Sequence, residues 1–236
     1  MRLFTQLIPM AALLLAYATA QAPADPSGHW EALIQAQGQD VKIEIDLGKN
    51  SRGDLIGTFA QPAQGIKGLP LSKIAVDGRS VRFVLKADMQ PVLFAGVLSA
   101  DGKSITGDLA LVGESIPFRF ARTGDAKFTT VPKSARIVKE LEGTWNGILE
   151  PGGGQMRLTL KMANQPDGTA AGTVVSVDGS GVEIPIVMKQ NAASLTIDLP
   201  TVGASFAGVL NSTGTELTGT WTQQSVTLPL TFHRAK

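Results

Sequence analysis

The sequence predicts an all-β fold: two tandem antiparallel meander β-barrels of about eight short strands each, with β-sandwiches as the alternative packing. Three observations predict it. The chain repeats itself, its apolar residues alternate with period two, and turn signals recur at roughly 8–12-residue spacing, which leaves no room for crossover helices.

The repeat is read from matches in fixed order. Gly28-His29-Trp30 aligns with Gly143-Thr144-Trp145 at an offset of 115, as do Gly57-Thr58 with Gly172-Thr173 and Leu69-Pro70-Leu71 with Ile184-Pro185-Ile186. Further on the offset is 112. There Phe94-Ala95-Gly96-Val97-Leu98 recurs unchanged as Phe206-Ala207-Gly208-Val209-Leu210, and Arg122 recurs as Arg234. A slip of three residues is what loop deletion produces.

Before the first copy, residues 1–22 read as a secretory signal peptide: Arg2, then an apolar run from Leu7 to Ala16, then small residues at Ala18 and Ala20. The run is too short to span a bilayer core of about 30 Å. The expected location is therefore exported, periplasmic or secreted, with no stable membrane insertion after cleavage. Four segments follow from this: 1–22 signal peptide, 23–123 first barrel, 124–142 linker, 143–236 second barrel. In the linker, Ser134 to Glu142 reads as one or two helical turns with Ser134 as N-cap.

Within each copy the strands are legible from parity. Val41, Ile43, Ile45 and Leu47 share one face against Lys42, Glu44 and Asp46; Met156, Leu158, Leu160 and Met162 oppose Arg157, Thr159 and Lys161. Strands are expected to begin near Trp30, Val41, Leu55, Leu69, Val81, Leu93, Ile105 and Ile116. Closure of eight such strands buries the apolar face and removes the edges. Gly57, Gly96 and Gly107 recur as Gly172, Gly208 and Gly219 inside strand patterns, where glycine marks strong coiling or close packing.

Composition excludes whole classes of function. The chain has 21 Lys+Arg against 20 Asp+Glu, no cysteine and two histidines. Removal of Arg2 leaves 20 of each charge. A phosphate-tracking basic surface is excluded, so no nucleic-acid partner is expected. Thiolate chemistry, disulfides and cysteine metal sites are excluded outright.

Two resemblances rest on these residues. Gly-x-Trp opening the first strand and Arg closing the last resemble the signature of the calycins (lipocalins, fatty-acid-binding proteins, avidins). That likeness implies Arg122 lying across Trp30 and Arg234 across Trp145, closing one end of each barrel as structural residues. It also implies a carrier of a small apolar ligand, with Phe59, Phe83, Phe94 and Phe118 lining one interior and Val174, Ile197, Phe206 and Leu230 the other. Gln61-Pro62-Ala63-Gln64-Gly65-Ile66-Lys67-Gly68-Leu69-Pro70-Leu71 and Leu217-Thr218-Gly219-Thr220-Trp221-Thr222-Gln223 are similar to the β-rich accessory region preceding some secreted bacterial α/β-hydrolases. No Gly-x-Ser-x-Gly elbow occurs in this sequence.

No catalytic set is expected. His29 and His233 fall in different copies, so neither a triad nor a zinc site is predicted from them; both read as outward strand-end side chains. Glu44 and Asp46 stand about 7 Å apart on one strand face, and read as a solvated surface beside Lys42. Gly152-Gly153-Gly154 precedes a strand, which does not make a phosphate loop. The expected function is an exported, non-catalytic binding or accessory protein with no cofactor and no metal. Its partner would be an envelope or hydrolase protein; the alternative is the calycin-like carrier of a small apolar ligand.

Overall fold

The computed structural model describes residues 24–235 except 37, 88–90, 112, 129–130 and 179–180. The expected signal peptide lies outside the described residues. The molecule is all-β, two antiparallel barrels in tandem.

Barrel 1 is closed. Its strands are β1 (Gly28–Ala36), β2 (Gln39–Lys49), β3 (Leu55–Gln61), β4 (Ile66–Asp77), β5 (Ser80–Leu85), β6 (Val92–Leu98), β7 (Ser104–Leu111) and β8 (Glu114–Gly124), paired in chain order, with β8 returning to β1. Parity decides what is inside. Ile43, Ile45 and Leu47 are buried, with Trp30, Phe59, Phe83, Phe94, Phe118 and Phe120 in the same core.

The linker does not form the helix expected with Ser134 as its cap. Ser134–Ala135 is a two-residue strand, β9, paired with Thr169–Ala170, and the helical content is a single 3-10 turn at Lys139–Leu141. Tertiary pairing outcompetes local capping here. Ser134 is buried and its hydroxyl oxygen accepts the Met188 N–H at 2.8 Å, so it has a partner in the barrel wall.

Barrel 2 comprises β10 (Gly143–Leu149), β11 (Met156–Asn164), β12 (Thr169–Ser176), β13 (Ile184–Pro185), β14 (Val187–Asn191), β15 (Ser194–Leu199), β16 (Ala204–Leu210), β17 (Glu216–Gln223) and β18 (Val226–Arg234). It has nine strands on its path because the counterpart of β4 is divided at Ile186 into β13, paired with β12, and β14, paired with β15. The Ile186 N–H still donates to the Gly172 carbonyl at 3.1 Å, so the wall continues across the division. β9 sits where β14 parts from β12.

The two cores fill equivalent space with different side chains. Val174, Ile197 and Leu230 stand where barrel 1 has Phe59, Phe83 and Phe118, while Trp221 replaces Leu109 at the same register. Cores tolerate such exchanges when total volume is kept. The interior glycines allow close approach: Gly96 pairs with Gly107 and Gly208 with Gly219. A Cβ on Gly107 would overlap the Ala95 carbonyl oxygen, and one on Gly219 the Ala207 carbonyl oxygen.

Candidate functional site

Each barrel has a floor and a mouth. At the floor of barrel 1 the Arg122 guanidinium carbon lies 4.6 Å from the Trp30 ring centroid, and in barrel 2 Arg234 lies 4.3 Å from that of Trp145. Both indoles are fully buried. Their N–H groups donate backward to the preceding segment, Trp30 to the Pro26 carbonyl at 2.9 Å and Trp145 to the Leu141 carbonyl at 3.0 Å. Arg234 is the better anchored, donating to the carbonyls of Gly214 (2.9 Å), Glu142 (2.7 Å) and Glu140. Arg122 donates to Asp25 at 3.1 Å. The glycine of Gly-x-Trp has a physical reason: Gly28 and Gly143 carry φ of 154° and 118°, and a Cβ at either would press on the arginine side chain.

The structure brings the expected ligand-lining residues together within each barrel. In barrel 1 the Phe94 ring is stacked on Phe83 at 4.8 Å and lies 6.4 Å from Phe59 and 5.9 Å from Phe118. In barrel 2 Phe206 meets Phe232 edge-on at 5.3 Å, within one core that also holds Val174, Ile197 and Leu230.

The mouths, at the ends away from the arginine–tryptophan pairs, face one another. The Lys67 N–H donates to the Thr201 carbonyl at 2.8 Å, the Glu183 N–H donates to the Lys86 carbonyl at 3.1 Å, and Ala87 forms an antiparallel bridge with Val182. Barrel 1 contributes the start of β4 and the β5–β6 connection, and barrel 2 the β12–β13 and β15–β16 connections. Val182 and Ile184 pack against the barrel 1 core, and Ile184 also packs against the core of barrel 2. Toward this end of barrel 2, Ser176 Oγ, Thr201 Oγ1 and Trp221 Nε1 are buried and have no hydrogen-bond partner among the described residues.

A second feature lies on the outer face of β1 and β2. The sequence reading of Glu44 and Asp46 as a solvated pair is corrected at Asp46, which is only 8 % exposed. The cause is the linker. Phe128 lies against Gly48, where a Cβ would come within 2.9 Å of its ring, and the Lys127 N–H donates to Asp46 Oδ1 at 2.8 Å. Asp46 Oδ1 also stands 2.8 Å from His29 Nδ1, and His29 Nε2 is 3.7 Å from Glu31 Oε1. His29 therefore faces outward as expected, yet its side chain is only 16 % exposed. Lys42 Nζ bridges Glu31 (2.7 Å) and Glu44 (3.0 Å), and the Thr123 hydroxyl donates to Glu31 at 3.1 Å. The hydrogen bond from Lys42 holds the Glu31 carboxyl below the usual glutamate range; Glu31 and then Glu44 raise the Lys42 ammonium in return. His233, on barrel 2, faces Glu216 at 3.5 Å.

Sequence parity placed these side chains on one face and could not show what covers that face. The available signals were Gly48 inside a strand pattern and Phe128 as the one aromatic residue in the linker.

No protein-family model and no curated protein matches the chain. Among solved structures, it is similar to a protein of unknown function from the DUF3598 family of Nostoc punctiforme at 12 % identity and a TM-score of 0.30, covering 89 % of this chain and 96 % of that one. It is also similar to a protein of Bacteroides fragilis described as a "putative outer membrane protein", at 12 % identity and a TM-score of 0.27, covering 89 % of this chain and 98 % of that one. Scores this low leave the function to be argued from the residues of the chain itself.

Proposed function

We propose that the chain is an exported, non-catalytic binding or accessory protein, in which two barrels form one scaffold and recognition belongs to their outer faces. The observation that carries this reading is the mouth-to-mouth packing, with Ile184 shared by both cores. Joined in this way the barrels serve as a platform rather than as two separate cups. The leader-like residues 1–22 support export, and the hydrolase-accessory likeness supports an envelope or hydrolase protein as partner. In-cell crosslinking of the full chain in its source tests the reading: a reproducible protein partner is expected, and recovery of none would overturn it.

A second reading has one observation in its favour. Ser176 Oγ, Thr201 Oγ1 and Trp221 Nε1, toward the mouth of barrel 2, are buried and unpartnered among the described residues. Buried polar groups normally have a partner, and a small apolar molecule with a polar end would supply one. In this reading the protein is a carrier. Native mass spectrometry of protein purified from its own host tests it, and a clean apo mass would sink it.

A further inference from the structure

The outer face of the β1–β2 hairpin holds donors that the barrel itself does not need. The duplication supplies the control. His29, Glu31, Glu44 and Asp46 correspond at the same register to Thr144, Asn146, Thr159 and Lys161, while Gly28, Trp30, Ile45 and Leu47 keep glycine, tryptophan, leucine and methionine counterparts. Barrel 2 thus closes with the same packing and none of these four donors.

The geometry in barrel 1 is specific. Asp46, buried and fixed by the Lys127 N–H, accepts from His29 Nδ1. This turns the far ring nitrogen, Nε2, toward Glu31 Oε1 at 3.7 Å. An imidazole nitrogen and a carboxylate oxygen converging on one strand face are donor types that a divalent transition metal takes. Donor atoms of His29, Glu31 and Glu44 all lie within 4.8 Å of one another. Donors on one tetrahedral zinc, at about 2.0–2.2 Å from it, stand about 3.3–3.6 Å apart, so closing the set takes side-chain adjustment alone. A carboxylate on the far nitrogen of a ligating histidine is the usual outer-shell arrangement and sets which nitrogen binds.

We propose that His29 Nε2, Glu31 and Glu44 form a site for a divalent transition-metal ion of the zinc type, with Asp46 as the positioning residue and water completing the shell. Lys42 is the built-in competitor. Its ammonium bridges the two glutamates, and with 45 % of its side chain exposed it has solvent to swing into when a metal ion takes its place. Arg119 lines the open groove beside Glu31 and Lys42 and adds to the positive charge a metal ion must outcompete. The imidazole with two carboxylates suits Zn²⁺ over Mg²⁺ or Ca²⁺.

The experiment is calorimetric titration of Zn²⁺ into the chain lacking residues 1–22, repeated with Mg²⁺. One Zn²⁺ per chain is expected, with no Mg²⁺ heat. His29→Ala and Glu44→Gln should each lose binding. Asp46→Asn should weaken it about 10–100-fold, as loss of an outer-shell partner does. Lys42→Met should tighten it, a change that a site elsewhere would not show. His233→Ala should leave it unchanged. Glu44→Gln and Lys42→Met, both at partly exposed positions, keep the test decisive if His29→Ala fails to fold. Absence of Zn²⁺ binding would overturn the proposal. So would binding indifferent to Glu44→Gln and Lys42→Met.

Discussion

The guanidinium of Arg234 lies over the ring of Trp145 at 4.3 Å and ties together three backbone carbonyls, those of Glu140, Glu142 and Gly214. It therefore joins the linker turn, the start of β10 and the β16–β17 connection at the floor of barrel 2. Arg122, at 4.6 Å from Trp30, makes one such bond, to Asp25.

That difference gives an ordered expectation. Trp145→Ala removes a fully buried indole and should cost about 3–5 kcal/mol. Arg234→Ala should destabilise the protein by more than Arg122→Ala, because its loss leaves part-buried carbonyls without their donor. Urea denaturation followed by tryptophan fluorescence measures all three. Equal losses for the two arginines would show that stacking on the indole, worth about 0.5–2 kcal/mol, is all that either contributes.

Gly219→Ala should cost about 1–3 kcal/mol through overpacking, because the new methyl overlaps the Ala207 carbonyl and the Gly208 Cα. Gly203→Ala is the comparison: nothing lies within 4 Å of its Cβ position, and its φ of 63° carries only backbone strain. A thermal midpoint for Gly219→Ala equal to that of Gly203→Ala would contradict the close Gly208–Gly219 approach.

Residues 130–236 expressed alone should fold cooperatively, since that span keeps β9, the buried Ile137 and Leu141, and the whole barrel 2 core. Residues 143–236 alone should be markedly less stable. They lack Ser134 against Met188 N–H and the Leu141 carbonyl under Trp145. Circular dichroism melts of the two fragments decide it; identical midpoints would mean the linker contributes nothing to the barrel.

Lys133 and Asp167 fasten the linker to the β11–β12 turn at 2.7 Å. The Lys133 ammonium, then the Thr169 hydroxyl and N–H, hold the Asp167 carboxyl well below its ordinary range. A depressed carboxyl stabilises the fold fully above its unfolded value of about 3.9. That contribution is lost as pH falls through the lower folded value. In Lys133→Met, Asp167 should titrate at higher pH by NMR; an unchanged titration would place its control in Thr169 alone.

Much of the fold was legible because strand parity is a local code. Val41, Ile43, Ile45 and Leu47 announce β2, and the repeated Gly-x-Trp and Arg ends announce the two floors. What was illegible depends on residues far apart in the chain. Asp46 has the parity of a surface residue, yet its carboxylate accepts the N–H of Lys127, some eighty residues later, while Phe128 packs on nearby Gly48. Ser134 has the chemistry of a helix cap, and its fate is decided by Met188 on the barrel wall. Val182 lies between β12 and β13, outside any strand. Its packing on barrel 1 follows from how the two barrels meet, which no periodicity encodes.

The meeting of the mouths bears on the order in which the chain takes shape. Every strand of barrel 1 has been made by Gly124, and Phe128 packs on Gly48 of β2 soon after. Val182 and Ile184 arrive only after β9 and three strands of barrel 2. Until then the barrel 1 core lacks the apolar side chains of Val182 and Ile184 that pack against it, and apolar surface exposed in this way promotes aggregation. The second copy is thus a stopper for the first, delivered in cis at high effective concentration, and a chain arrested between the copies would be the species most in need of a chaperone.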